Sequence, residues 1–108
     1  MMPYEVEWTD AAREDLEAIA DDIVAVDGPI NALKVVEHLE ERAESLTTFP
    51  MRGRVVPELR WHGVMSYREL VEKPWRLVYR IEAQRVLVVS ALDGRRRLED
   101  LLLDRFVR

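Results

Sequence analysis

A change of hydrophobic period near residue 50 constrains this chain more than any other feature. Before it, apolar residues recur at spacings of three and four; from Ser66 onward they follow the alternation and short apolar runs of strands. Ala12, Leu16, Ile19, Ala20 and Ile23 form one helical stripe, with Glu14, Asp15, Glu17, Asp21 and Asp22 on the wet side. Thr9 or Asp10 is placed to cap that helix by accepting from a free backbone N–H one turn on. Asp27-Gly28 breaks it, and Pro29 restarts a second helix at a first-turn position where its missing N–H costs nothing. The second helix is expected to run to about Phe49, burying Ala32, Val35, Val36, Leu39, Ala43 and Leu46. Two antiparallel helices joined by a tight turn result.

On either side of this hairpin the pattern is that of strands. Tyr4–Trp8 alternates bulky and charged residues. Phe49 to Gly63 reads as a loop, with two prolines, two glycines and no sustained period. Tyr67–Glu72, Trp75–Glu82 and Arg85–Leu92 are rich in Val, Leu, Tyr and Trp, and are separated by Lys73-Pro74 and Ala83-Gln84. Pairing across Ala83-Gln84 puts Trp75, Leu77, Tyr79, Ile81, Val86, Val88 and Leu92 on one face. Arg76, Val78, Arg80, Leu87, Val89 and Ala91 fall on the other. The register across Lys73-Pro74 stays open, since one bulged residue would invert it. A short amphipathic helix is expected over Leu98–Phe106. The order β-α-α-β-β-β-α makes an α+β fold, one domain over residues 1–108. It has an N-terminal strand, a helical hairpin, a three-stranded antiparallel meander and a short C-terminal helix. With both helices on one side, the Arg76/Arg80 face of the sheet should be open or partly covered.

Composition removes several classes of function. No cysteine is present, which excludes disulfides, thiolate metal sites and cysteine nucleophiles. Two histidines, His38 and His62, are too few for a histidine-rich metal cluster, and no metal or cofactor is expected. No apolar run is long enough for a membrane span, and the N-terminus lacks a signal peptide's basic and apolar regions. The expected location is the cytoplasm, with no membrane partner. The net charge of −5 divides unevenly. Residues 1–50 carry three basic against thirteen acidic residues, a net of −10; residues 51–108 carry thirteen against eight, a net of +5. Either the basic half meets an anionic partner, or acidic helices simply balance a basic sheet.

The basic residues after position 50 are nearly all arginine, whose planar fork binds phosphate or carboxylate bidentately. Arg76 and Arg80 share a strand face, and Arg52, Arg54 and Arg60 lie on the preceding loop. These five, with Arg95 and Arg96, are the candidate residues for binding a target or partner. The competing reading pairs each with a surface carboxylate. Metal-free RNA cleavage would need a proton acceptor, a proton donor and a cation on the phosphorane. For that chemistry the candidates are Arg52, Arg60 and Arg76, with His62 or Glu58 carrying the proton. Trp8 and Trp75 fall on core faces. Trp61, in the polar loop, is either a stacking surface for a base or partner side chain, or a lid over the core edge.

Several segments together resemble the RelE/ParE superfamily of type II toxins. They are Thr9-Asp10-Ala11-Ala12-Arg13-Glu14-Asp15-Leu16, Phe49-Pro50-Met51-Arg52-Gly53-Arg54, Tyr67-Arg68-Glu69-Leu70, Trp75-Arg76-Leu77-Val78-Tyr79-Arg80 and Leu92-Asp93-Gly94-Arg95-Arg96. The element order also matches, so the resemblance covers almost the whole chain. It implies a cognate antitoxin whose acidic C-terminal segment folds onto the toxin. It further implies one of two targets: DNA gyrase, for ParE-like members, or messenger RNA in the ribosome, for RelE-like nucleases. Arg76 stands where the nucleases carry a phosphate-contacting arginine, so Arg76→Ala is expected to relieve toxicity without unfolding the chain. Neither tyrosine nor histidine follows Gly94, where the nucleases carry one. The resemblance is therefore closer to ParE, and gyrase inhibition without catalysis is the expected action. A non-toxic relative that only binds an antitoxin is the third reading.

Overall fold

The computed structural model describes residues 2–94. The expected helix over Leu98–Phe106, and Arg95 and Arg96, lie outside the described residues. The chain begins with strand β1 (Glu5–Trp8) and continues into helix α1 (Asp10–Asp27). Thr9 rather than Asp10 is the cap: its backbone is extended and its hydroxyl accepts from the Ala12 N–H at 3.1 Å. Gly28 closes α1 with φ at +88°, donating its N–H to Val24 O, and Pro29 opens α2 (Pro29–Glu44). A side chain at Gly28 would be strained in that conformation, which is why the break is a glycine. Helix α2 ends at Glu44, and a single 3₁₀ turn, Ser45–Thr47, carries Leu46 into the core.

The segment read as loop from Phe49 to Gly63 holds two short elements, β2 (Arg54–Val55) and α3 (Pro57–Arg60). Three longer strands follow: β3 (Arg68–Glu72), β4 (Trp75–Glu82) and β5 (Arg85–Asp93). They form one five-stranded sheet in the order β1-β5-β4-β3-β2. Strand β1 runs parallel to β5, and all other pairs are antiparallel. Lys73-Pro74 makes a direct turn, pairing Glu72 with Trp75. The open register of β3 therefore resolves with no bulge.

The bulge sits between β4 and β5 instead. Val78 pairs with Ser90 but Tyr79 pairs with Val88, so β5 carries an extra residue there. Two expectations change as a result. Ala91 joins the helix-side core and Leu92 the opposite face, the reverse of unbroken alternation. The Asp15 carboxylate of α1 covers the irregular stretch, accepting from Ser90 Oγ and the Ala91 N–H, both at 3.0 Å.

Both long helices pack on one face of the sheet. Ala12, Leu16, Ile19, Leu39, Ala43 and Leu46 meet Leu70, Leu77, Tyr79, Val86 and Val88, with Val6, Trp8 and Trp75 at the margin. The other face is partly covered, as expected, and its cover is the segment around α3. Val56 and Leu59 pack on Val78 and Val89, with Val64, Tyr67, Leu87 and Leu92 around them. No helix among the described residues is long and apolar enough to cross a membrane.

Candidate functional site

Register alone brings three charged residues together on the α3 side of the sheet. Arg54 pairs with Glu69 across β2 and β3, and Val71 pairs with Arg76 across β3 and β4. Arg54, Glu69 and Arg76 consequently face the same way. Glu69 has a side chain with no solvent exposure and Arg76 is 9% exposed, so each needs a counter-charge. Glu69 Oε1 accepts from Arg76 Nε at 2.5 Å, and Glu69 Oε2 accepts from Arg54 Nε at 2.6 Å. The outer edge of the Arg76 fork meets Glu58 of α3 bidentately: NH1 donates to Oε2 at 2.6 Å and NH2 to Oε1 at 2.7 Å.

The resulting chain Arg54–Glu69–Arg76–Glu58 has no net charge. Hydrogen bonding from Arg76 holds the Glu58 carboxyl below its ordinary value, against burial, which acts to raise it. Burial alone would make Arg76 easier to deprotonate. Its bonds to Glu58 and its attraction to Glu69 outweigh that, and its affinity for the proton rises above normal. Glu58 is thus ionised near neutral pH and bound on both oxygens, which suits a latch for α3 rather than a proton carrier.

The remaining candidates disperse. Arg80 pairs with Glu82 at 2.9 Å and approaches Tyr67 Oη at 3.4 Å. Arg52 is exposed, and its NH1 donates to Ser45 Oγ at the end of the helical hairpin, away from the Arg76 cluster. Arg60, the last residue of α3, and His62 just beyond it are both exposed. The expectation that Arg76 stands on an open face is corrected: Arg76 is buried, as the counter-ion of a buried carboxylate. Trp61 proves to be no lid, with 86% of its surface exposed.

Sequence reasoning missed Glu69. Little in the sequence signalled it, since β3 also carries Arg68 and Glu72, and the partner of Glu69 lies seven residues on and requires the hairpin register. The Phe49-Pro50-Met51-Arg52-Gly53-Arg54 stretch also gains a physical account. The Tyr79 hydroxyl donates to Pro50 O at 2.7 Å and accepts from the Gly53 N–H at 3.0 Å, while Arg68 NH1 donates to Gly53 O at 2.7 Å. A Cβ at Gly53 would lie 2.6 Å from both Glu69 O and Tyr79 Oη, so only glycine fits. Burial raises the Tyr79 phenol above its usual value, so it remains a donor at neutral pH.

A cleft of about 860 Å³ lies on the opposite side, between α1, α2 and the end of β5. Ile19, Ile23, Val35 and Trp75 line it, and Asp15, Asp22, Asp27 and Asp93 surround it. Among the described residues no group of histidines and carboxylates could hold a metal ion.

Comparison with known proteins agrees with this fold. Residues 6–98 match the family described as the ParE toxin of the type II toxin–antitoxin system parDE. The chain is 30% identical to Toxin ParE3 of Caulobacter vibrioides over 84 residues, 78% of this chain and 80% of that protein. Its fold is similar to a chain of the chromosomal ParDE toxin–antitoxin system from P. aeruginosa, with a TM-score of 0.70 and 27% identity. That match covers 82% of this chain and 92% of the other. It is also similar in fold to a chain of the toxin–antitoxin complex RelBE2 from Mycobacterium tuberculosis. There the TM-score is 0.62 at 23% identity, over 86% of this chain and 93% of that one.

Proposed function

This chain belongs to the ParE toxin family of type II toxin–antitoxin systems, and we propose that it arrests growth by binding and inhibiting DNA gyrase, restrained by a cognate antitoxin. The observation that carries the choice of target is the clamp on Arg76. An arginine that is to stabilise a phosphorane must offer its fork to the substrate. Here both edges of the fork are taken by the chain's own carboxylates. The same bonds remove Glu58 as a general base, and a nuclease without a working acid or base loses on the order of 10²–10⁴ in rate. Binding without hydrolysis fits this arrangement better than cleavage of messenger RNA on the ribosome.

The exposed arginines Arg52, Arg54 and Arg60 are the described candidates for contact with the target or the antitoxin, with Arg80 at their margin. An acidic antitoxin segment would bind Arg52 and Arg60 directly, but would have to displace Glu58 or Glu69 to reach Arg76. Both proposed partners place the toxin in the cytoplasm. The test is purified gyrase: the toxin should inhibit supercoiling, and its antitoxin should restore it. Loss of full-length messenger RNA on programmed ribosomes, with gyrase unaffected, would assign the nuclease reading instead. No growth arrest at all would leave the chain as an antitoxin-binding relative.

A further inference from the structure

A large aromatic side chain in open water is the anomaly of this surface. Trp61 is the most exposed of the large hydrophobic residues among the described positions, at 86%, and Met65, four residues on, is also exposed. Scattered exposed aliphatics are ordinary in a monomer; an exposed tryptophan on an ordered turn is informative. The turn itself is wound tightly. Trp61 N–H donates to Pro57 O, His62 N–H and Val64 N–H both donate to Leu59 O, and Gly63 N–H donates to Arg60 O. Leu59 beneath it has no exposure, and the Glu58 side chain is tied to Arg76 on the sheet. The backbone under Trp61 is therefore anchored at two points while its indole makes almost no contact.

Such a turn is suited to binding because its backbone has little conformational freedom left to lose when the side chain is covered. Tryptophan and arginine are also the residues that most often dominate protein–protein contacts, and Arg60 adjoins Trp61 on the exposed side. The alternative occupant, a nucleic acid, requires a track of unpaired cations along the backbone path. Among the described residues most of that track is neutralised or tied down, Arg52 by Ser45 Oγ. Arg54 and Arg76 pair with Glu69, Arg80 with Glu82, Arg85 with Glu7 and Glu82, and Arg68 donates to Gly53 O. What remains beside Trp61 is one cation without an ion pair, Arg60.

We infer that the α3 turn is the toxin's anchor for its protein target, with Trp61 entering an apolar pocket of that protein and Arg60 meeting a carboxylate at the pocket's rim. This deepens the proposed function and rests on it, in that the target is taken to be a protein. The surface is separate from the acid-rimmed cleft between α1, α2 and β5, which lies across the sheet. The latch between Glu58 and Arg76 then acts in positioning, since it holds the turn that presents Trp61.

The test uses Trp61→Ala, Trp61→Phe and Arg60→Ala in the full chain, purified with its antitoxin and induced without it. Growth arrest, inhibition of gyrase supercoiling, antitoxin affinity and melting temperature are measured for each. Trp61→Ala should leave melting temperature unchanged, since the side chain is solvated in the free toxin, and antitoxin affinity unchanged because the anchor is assigned to the target. It should weaken gyrase inhibition by roughly 30-fold, the effect of truncating a dominant interface residue. Trp61→Phe should recover part of the loss, and Arg60→Ala should fall between. Wild-type potency in Trp61→Ala overturns the inference, as does a loss confined to antitoxin affinity or to RNA binding. If the wild type arrests growth but spares gyrase, the choice of target is wrong. The anchor is then judged by growth arrest alone, where equal toxicity of Trp61→Ala refutes it.

Discussion

Replacing Arg76 by alanine separates a contact role from a structural one, and the structure supplies the magnitude. The Glu69 side chain has no exposure and is held by two guanidinium groups, those of Arg76 and Arg54. Removing one partner of a buried pair costs about 3–5 kcal/mol, most of it from the charge left behind. Arg54 is 61% exposed and still bonded to Glu69, so the lower end applies, near 3 kcal/mol. Glu58 would also lose both its bonds and release α3. Each kcal/mol shifts the melting temperature of a domain this size by about 4–8 °C, giving a fall of some 12 °C or more. Thermal unfolding followed by circular dichroism reads this directly. The double variant Arg76→Met with Glu69→Gln removes both charges, and should regain most of the lost stability. If Arg76 acts through the fold, that double variant also regains growth arrest. A melting temperature within about 2 °C of wild type for Arg76→Ala would refute the reasoning, because that leaves no buried charge to account for.

Two further outcomes follow from residues around this cluster. Gly53→Ala places a Cβ 2.6 Å from the Glu69 carbonyl and the Tyr79 hydroxyl, and overpacking of this kind costs about 1–3 kcal/mol, more if the Tyr79 bonds break; denaturant unfolding should show the loss, and an unchanged midpoint would contradict the packing described. The Glu58 carboxyl titrates below its ordinary 4.5 when folded, so its contribution is complete above that value and disappears as pH falls through the folded one. The stability gap between wild type and Glu58→Gln should therefore be constant at neutral pH and shrink as pH falls below 4.5; a gap that widens on acidification has the wrong sign.

Much of the fold was legible because its helices are amphipathic and long. Ala12, Leu16 and Ile19, and Ala32, Leu39 and Ala43, are buried as their spacing requires. Strand β4 was bounded correctly by Lys73-Pro74 and Ala83-Gln84. Three features were hidden for physical reasons. Strand β2 and helix α3 are too short, at two and four residues, to show a period. The bulge opposite Val78 and Tyr79 falls at Val89, the end of the apolar run Val86–Val89, where apolar residues on both faces hide a change of alternation. The charge cluster joins residues 7 to 18 positions apart, through a hairpin register and the fold-back of α3. Its arginines were visible in the sequence, but the fact that their partners were already inside the chain was not.

The central claim is that this toxin acts on gyrase without cutting RNA. It is tested most directly by a supercoiling assay with purified gyrase, relaxed plasmid and the toxin released from its antitoxin. Dose-dependent loss of supercoiling, reversed by adding the antitoxin back, is the predicted result. Unimpaired supercoiling at toxin concentrations that cleave messenger RNA on programmed ribosomes would contradict it.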